Sequence, residues 1–281
     1  MSVWVAQQDY LHALVEDLDT PRSLRRFSGR KPSPGRRVEV MGVSIDNITA
    51  AAAVERMVQS VTSGGRSLVL HVNAHFLNLM FDHPLLRAIN RYADVTLCDS
   101  VGAQLAALAV SGDVLPRNTP PDWIYMLGER LGRSGRSVFW FGGRPETVEL
   151  AAKNFESKTG ARSVGWHHGY VDLSPDSPDG KLLVDRINSL EPDVLIVCLG
   201  MPLQEEWLHR HWTALNVRVA ITGGALIDHV AGRVTRPPSW ITRCGLEWAA
   251  RLVHEPRRLW RRYLVGLPML GGRLIKEIVH L

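Results

Sequence analysis

Asp99 closes a short apolar run, Val95 to Cys98, and precedes Ser100-Val101-Gly102. A carboxylate at a strand end among small residues can take a proton from a substrate hydroxyl. The same position can cap the helix that follows, and sequence physics alone leaves both roles open. A second concentration of polar groups follows the unbroken apolar run Val194 to Leu199: Gly200, then Pro202, Gln204 and Glu205. Gln204 and Glu205 stand where a strand gives way to a helix N-terminus, placed to meet a polar ligand or simply to cap the helix. Polar or glycine positions recur at the other strand ends: His71 and Asn73, Gly142-Gly143, His168 to Tyr170, and Gly223-Gly224 with Asp228. A Gly-Gly turn before a helix can hold a phosphate on backbone N–H groups.

Other chemistries lack their patterns. There is no G-x-G-x-x-G and no G-x-x-x-x-G-K-[ST], so dinucleotide and P-loop binding have no fingerprint. His167-His168 has no third ligand at metal-binding spacing. Ser100 lies in D-S-V-G rather than G-x-S-x-G, against a hydrolase nucleophile. Asp17-Leu18-Asp19 matches a metal motif of sugar-nucleotide enzymes, but it falls in the N-terminal appendage, where chance accounts for it. Cys98, Cys198 and Cys244 show neither disulfide nor zinc spacing and read as thiols of a reducing compartment.

The elements that must position these residues alternate along the chain. A strand is expected over Val38 to Ile45, a helix capped by Asp46 or Asn47 and running to Ser63, and then about six more strand–helix pairs ending at Val217 to Thr222. Apolar runs without alternation are strands covered on both faces. The fold class is therefore α/β: a doubly wound, mostly parallel, Rossmann-like sheet. Ligands of such sheets bind beyond the carboxyl ends of the strands, where the polar residues gather. Three segments are expected: a flexible basic arm over 1–37, an α/β body over 38–236, and a helical basic appendage over 237–281. From Arg236 onward nine Arg or Lys stand against three Asp or Glu, while the preceding residues sum to −1 of the chain's +5. Trp240, Trp248, Trp260 and Tyr263 are interleaved with those arginines. A tryptophan-rich basic helix suits an anionic membrane surface, and no nucleic-acid partner is expected. The N-terminus does not read as a signal peptide, and no apolar run reaches the ~20 residues of a membrane span. The expected location is cytoplasmic, peripherally bound to the inner face of the cell membrane.

Taken together, Asn73-Ala74, Asp94 with Asp99 and Gly102, Pro116-Arg117, Phe141-Gly142-Gly143, His168-Gly169-Tyr170, Gly200 to Glu205, Gly223-Gly224 with Asp228, Arg236-Pro237-Pro238 and Glu247-Trp248 with Arg251 resemble the bacterial WecG/TagA/CpsF glycosyltransferases. The resemblance runs from Val38 to Tyr263. It implies transfer of a sugar from a UDP-sugar donor to an undecaprenyl-diphosphate-linked acceptor, with inversion, without a metal and with no cofactor. It implies Asp99 as the base. It puts Asn73 and Gln204 in the pocket and has Arg251, Arg258 and Arg261 reach the diphosphate and close the site at the membrane. The expected substrate-binding set is His71, Asn73, Arg117, Gly143, Tyr170, Gly200, Gln204, Glu205, Asp228, Arg251, Arg258 and Arg261. The chain departs from the family pattern at His71, usually threonine, at Ser100, usually glycine, and at Pro120-Pro121. Two other readings stay open: a non-catalytic member that binds lipid-linked sugars or partners in a polysaccharide complex, and a nucleotide-dependent oxidoreductase. Self-association into a homo-oligomer also stays open.

Overall fold

The computed structural model describes residues 36–174, 177–234 and 247–280. The proposed N-terminal arm, with Asp17 and Asp19, lies outside the described residues, as do Arg236, Trp240 and Cys244. Within them the chain runs β1 (Arg37–Val40), β2 (Val43–Asp46), α1 (Ala50–Thr62), β3 (Ser67–Val72), α2 (Ala74–Leu79), α3 (Pro84–Tyr92) and β4 (Val95–Cys98). It continues with α4 (Val101–Ser111), α5 (Pro120–Arg133), β5 (Ser137–Gly142), α6 (Pro145–Thr159), β6 (Arg162–His167) and α7 (Pro178–Ser189). Then come β7 (Val194–Cys198), α8 (Leu203–His211), β8 (Val219–Thr222), α9 (Leu226–Val230), α10 (Glu247–His254), α11 (Pro256–Trp260), a π-helical turn (Arg261–Val265) and α12 (Gly266–His280).

Six strands form one parallel sheet in the order β4-β3-β8-β7-β5-β6. β7 and β8 lie at its centre, and every residue of both is buried. Side chains of α1, α5, α6 and α9 cover one face around Trp123, Trp140 and Phe155. Those of α3, α7 and α8 cover the other around Phe139, Phe141 and Trp207. This is the doubly wound architecture expected from unalternated apolar runs.

The segment expected as one strand over Val38 to Ile45 is instead a separate hairpin. Arg37 to Val40 pairs antiparallel with Val43 to Asp46. Met41 and Gly42 both take positive φ, 54° and 76°, which matches a two-residue primed turn. The hairpin packs with α2, α4 and Leu270 of α12 in a third core cluster at the β4 edge. Arg37 holds Asp46 at 3.1 Å, so the folded body starts one residue earlier than the sequence boundary. The following helix is capped by Thr49, whose side chain accepts from the Ala52 N–H, and not by Asp46 or Asn47. Asp46 is occupied elsewhere, accepting the Thr96 N–H at 2.7 Å.

The sheet's carboxyl end needs glycine where backbones converge. Gly142 has φ +128°, and a Cβ there would lie 2.3 Å from the Cys198 carbonyl oxygen. A main-chain obstacle cannot swing aside as a side chain can. Gly142→Ala should therefore cost about 3 kcal/mol through strain and overpacking, read as a lowered midpoint in urea unfolding.

Candidate active site

The carboxyl ends of all six parallel strands open into one cavity of about 1870 Å³. That exceeds the roughly 300–1,000 Å³ of a typical single-ligand site and leaves room for two substrates. Asp99 lies at its floor, directly after β4. Its backbone N–H donates to the Val72 carbonyl at 2.8 Å, which ties it to the end of β3. The helix-capping role belongs to its neighbour: Ser100 Oγ accepts the Ala103 N–H and also the Ala74 N–H, each at 3.1 Å. Asp99 is thus left free of capping duty. Ser100 stitches the starts of α2 and α4 together.

Asn73 is oriented by similar accounting. Its Oδ1 caps α2 by accepting from the His75 and Phe76 N–H groups at 3.0 Å each. Its amide nitrogen is therefore turned outward and donates to Asp99 Oδ2 at 3.4 Å. Burial pushes the Asp99 carboxyl up to about 7. The Asn73 bond, Arg262 and Arg251 pull it back, and Glu247 adds to the rise. A carboxyl that titrates near neutrality suits a general base.

The opposite wall comes from the C-terminal segment. Glu247 of α10 pairs with Arg117 at 3.7 Å, joining that segment to the loop after α4. The π-helical turn adds one residue to the register, and π-bulges often mark functional positions. Here Arg261 is exposed, with its guanidinium 5.3 Å from the Trp260 ring centre. Arg262 is half-buried and felt electrostatically by both Asp99 and His75. The segment is latched to the body where Asn78 Nδ2 donates to the Gly266 carbonyl at 2.6 Å. Arg273 in turn donates to the Asn78 carbonyl at 2.6 Å.

His71, Asn73, Asp99, Arg117, Gly143, Tyr170, Gly200, Gln204, Asp228, Arg251 and Arg261 all line this one cavity. Two expected members do not join them here. Glu205 is fully buried behind Gln204 and does not reach the cavity, because one helical residue turns it by about 100°. Its carboxyl is pushed up to about 8 by burial and accepts from Gln204 Nε2 at 2.8 Å. The Arg258 side chain lies outside the described residues. Gln204 itself is drawn inward: its Oε1 accepts the Gly224 N–H at 3.0 Å, so it braces the Gly223-Gly224 turn. Residues the sequence reading missed include His75, Asn78 and Glu206, all of which line the cavity. Glu206 is 4% exposed, its carboxyl raised by burial and lowered by Arg210. The apolar-periodicity signal could not flag them, since each is a polar side chain on the buried side of a helix. Cys98 and Cys198 are free, buried thiols with pKa values raised to about 12, as expected of inert cysteines.

The model of the glycosyl transferase WecG/TagA/CpsF family matches residues 38–281. The chain belongs to this family. A relative from Bacillus spizizenii (strain ATCC 23059 / NRRL B-14472 / W23) is named N-acetylglucosaminyldiphosphoundecaprenol N-acetyl-beta-D-mannosaminyltransferase. It is 30% identical over 199 residues, which cover 69% of this chain and 73% of that protein. A relative of the same name from Staphylococcus aureus (strain MW2) is 24% identical over 242 residues, 85% of this chain and 92% of its own length. Membership makes this chain a glycosyltransferase, and the family match extends over the C-terminal segment that completes the cavity. Among the described residues no three His, Cys, Asp or Glu side chains stand together as metal ligands, and no helix is long and apolar enough to cross a membrane.

The raised Asp99 carboxyl carries a stability signature. Its folded pKa, about 7, lies above the ordinary 3.8, so the native state binds the proton more tightly. Stability from this group is then full below pH 3.8 and is lost as pH rises through 7. Asp99→Asn should raise the thermal midpoint above that of the wild type at pH 8, with the difference vanishing towards pH 4.

Proposed function

We propose that this glycosyltransferase moves a sugar from a UDP-sugar to a sugar carried on undecaprenyl diphosphate, with inversion and without a metal. The observation that carries the reading is a desolvated carboxylate at the cavity floor, Asp99, facing guanidinium groups of the C-terminal segment, Arg251 and Arg262. In a single displacement Asp99 takes the proton of the acceptor hydroxyl. That oxygen bonds to the anomeric carbon as the bond to the β-phosphate breaks, and UDP leaves. Arg251 and Arg262 are the groups positioned to meet the departing negative charge, a task that charge-assisted hydrogen bonds perform well in a water-poor site. The relatives' names supply the acceptor: both act on N-acetylglucosaminyldiphosphoundecaprenol. A cavity large enough for two substrates supports the same reading.

The test gives the purified protein a panel of UDP-sugars with a short-chain diphospholipid acceptor and measures UDP release, with and without EDTA. Release should depend on both substrates and survive chelation. Asp99→Asn should lower it by about 10²–10⁴-fold while UDP still binds, and wild-type kcat/KM should fall with unit slope below pH 7. Turnover by the mutant at the wild-type rate would remove Asp99 from the role of base.

The acceptor's prenyl chain stays in the bilayer, so the cavity must come to it. We propose that the C-terminal segment docks on the anionic inner face of the membrane. Trp260, Val265 and Met269 are exposed apolar side chains on the cavity's C-terminal wall together with Arg257 and Arg261, and Leu264 and Lys276 of the same segment are exposed as well. Apolar insertion and basic attraction reinforce each other at such a surface. Leu264→Glu with Val265→Glu should abolish sedimentation with anionic liposomes while leaving the free energy of unfolding within about 1 kcal/mol of wild type, about 0.5 kcal/mol for each surface substitution.

A further inference from the structure

The carboxylates that line the cavity are, with one exception, partnered or exposed to water. Asp99 meets the Asn73 amide, Glu247 pairs with Arg117, and Asp82 pairs with Arg273 at 3.8 Å. Asp228 and Glu255 are engaged within the protein, and Glu146 is exposed. Glu206 is the exception. It is 4% exposed, and its buried Oε2 has no hydrogen-bond partner. Arg210, one turn further along α8, donates to the Leu173 carbonyl at 2.9 Å and acts on Glu206 only through space. An acid in the first turn can cap its own helix, but no side chain caps α8, and the Glu206 N–H is bonded to the Pro202 carbonyl at 3.0 Å. The neighbouring Glu205 is met by the Gln204 amide and does not reach the cavity. A desolvated carboxylate that no donor meets is costly, and in a native site it calls for an explanation.

We propose that Glu206 is a specificity-determining residue whose carboxylate accepts a hydrogen bond from one hydroxyl of a bound substrate's sugar ring. This rests on the reading of the cavity as the site of a sugar nucleotide and a lipid-linked sugar. The chemistry of the group selects its partner. An ionised carboxylate only accepts hydrogen bonds, so it needs a group that brings a hydrogen. The phosphates of either substrate bring none and carry its own sign of charge, and carbonyl oxygens bring none either. Every sugar ring brings hydroxyls. A hydroxyl also turns about its C–O bond, so its proton can be aimed at an oxygen that the helix holds in place. It reproduces the bond that water makes to a carboxylate, so entry of the sugar forfeits nothing there. The hexose of the donor, its ribose and the sugar of the acceptor all carry the group, and the experiment tells them apart.

Calorimetry at pH 8 compares three probes with their monodeoxy forms: UDP, UDP-N-acetylmannosamine, and a short-chain diphospholipid carrying N-acetylglucosamine. In the wild type, removal of the contacted hydroxyl should weaken binding by about 10- to 100-fold, the scale of a hydrogen bond to a charged group. In Glu206→Ala the parent should bind as weakly as that deoxy form, so that the two become equal, while the other deoxy forms keep their wild-type ratios to the parent. The set in which this happens names the ring: UDP for the ribose, UDP-N-acetylmannosamine alone for the donor hexose, the diphospholipid for the acceptor. Glu206→Gln keeps a neutral acceptor of the same shape. It should retain a preference of about 3- to 10-fold for the same hydroxyl, and it carries the test if Glu206→Ala does not fold. Burial raises this carboxyl, so its ionised form opposes folding at pH 8. The thermal midpoint of unliganded Glu206→Gln should therefore not fall below that of the wild type, as it would if the carboxylate served only the fold. Losses spread evenly over every form, full discrimination at every hydroxyl in Glu206→Ala, or a lowered midpoint in Glu206→Gln would overturn the proposal. Wild-type protein that binds none of the three parent probes would instead overturn the functional reading beneath it.

Discussion

Helices cover both faces of the six-stranded sheet, and this confines the protein's chemistry to one edge. Along β7 and β8 every side chain is buried, so a charge placed mid-strand would lack both solvent and partner. Side chains that face a ligand can stand only where the strands stop. There, parallel alignment brings six chain reversals together, and each can contribute one or two groups. His71, Asn73, Asp99, Gly143, Tyr170 and Gly200 lie far apart in sequence and meet for this reason alone. Gly142 shows how tightly the edge is drawn, with its Cα passing within a side chain's width of the Cys198 carbonyl.

At that edge the same burial acts in opposite directions on two ionisable groups. It raises the Asp99 carboxyl and lowers the His71 imidazole, each towards its neutral form. Their neighbours then differ. Asp99 has an amide donor and two guanidinium groups in reach, so its ionised form is recoverable near neutrality. Burial against the Trp123 indole keeps His71 uncharged. One cavity thus holds a carboxyl that ionises near neutrality and a neutral imidazole, at the ends of adjacent strands.

The fold class was legible because unalternated apolar runs have few other uses, and the strand-end residues were legible because the sheet's topology leaves them one destination. The errors have local causes. The β1–β2 hairpin was hidden because Met41-Gly42 lacks the Asn-Gly or Asp-Gly pair that usually announces such a turn, although Met41 takes the left-handed conformation anyway. Glu205 was read as facing the ligand because sequence shows that a residue is near a helix start but not which way it turns, and one position separates Gln204 from it. Asp99 and Ser100 both have cap-forming side chains, and only the observed bonds to Ala74 and Ala103 assign the cap to Ser100. Arg261 and Arg262 both line the cavity, at a π-helical turn that no periodicity argument anticipates.

The latch between Asn78, Gly266 and Arg273 couples the cavity to the order of biosynthesis. The strand ends are made early and the wall that faces them, Glu247 to Met269, is made after every strand of the sheet. Arg251, Arg262 and Glu247, which bear on the Asp99 carboxyl, all belong to that wall. The groups that tune this carboxyl are therefore the last part of the site to be synthesised.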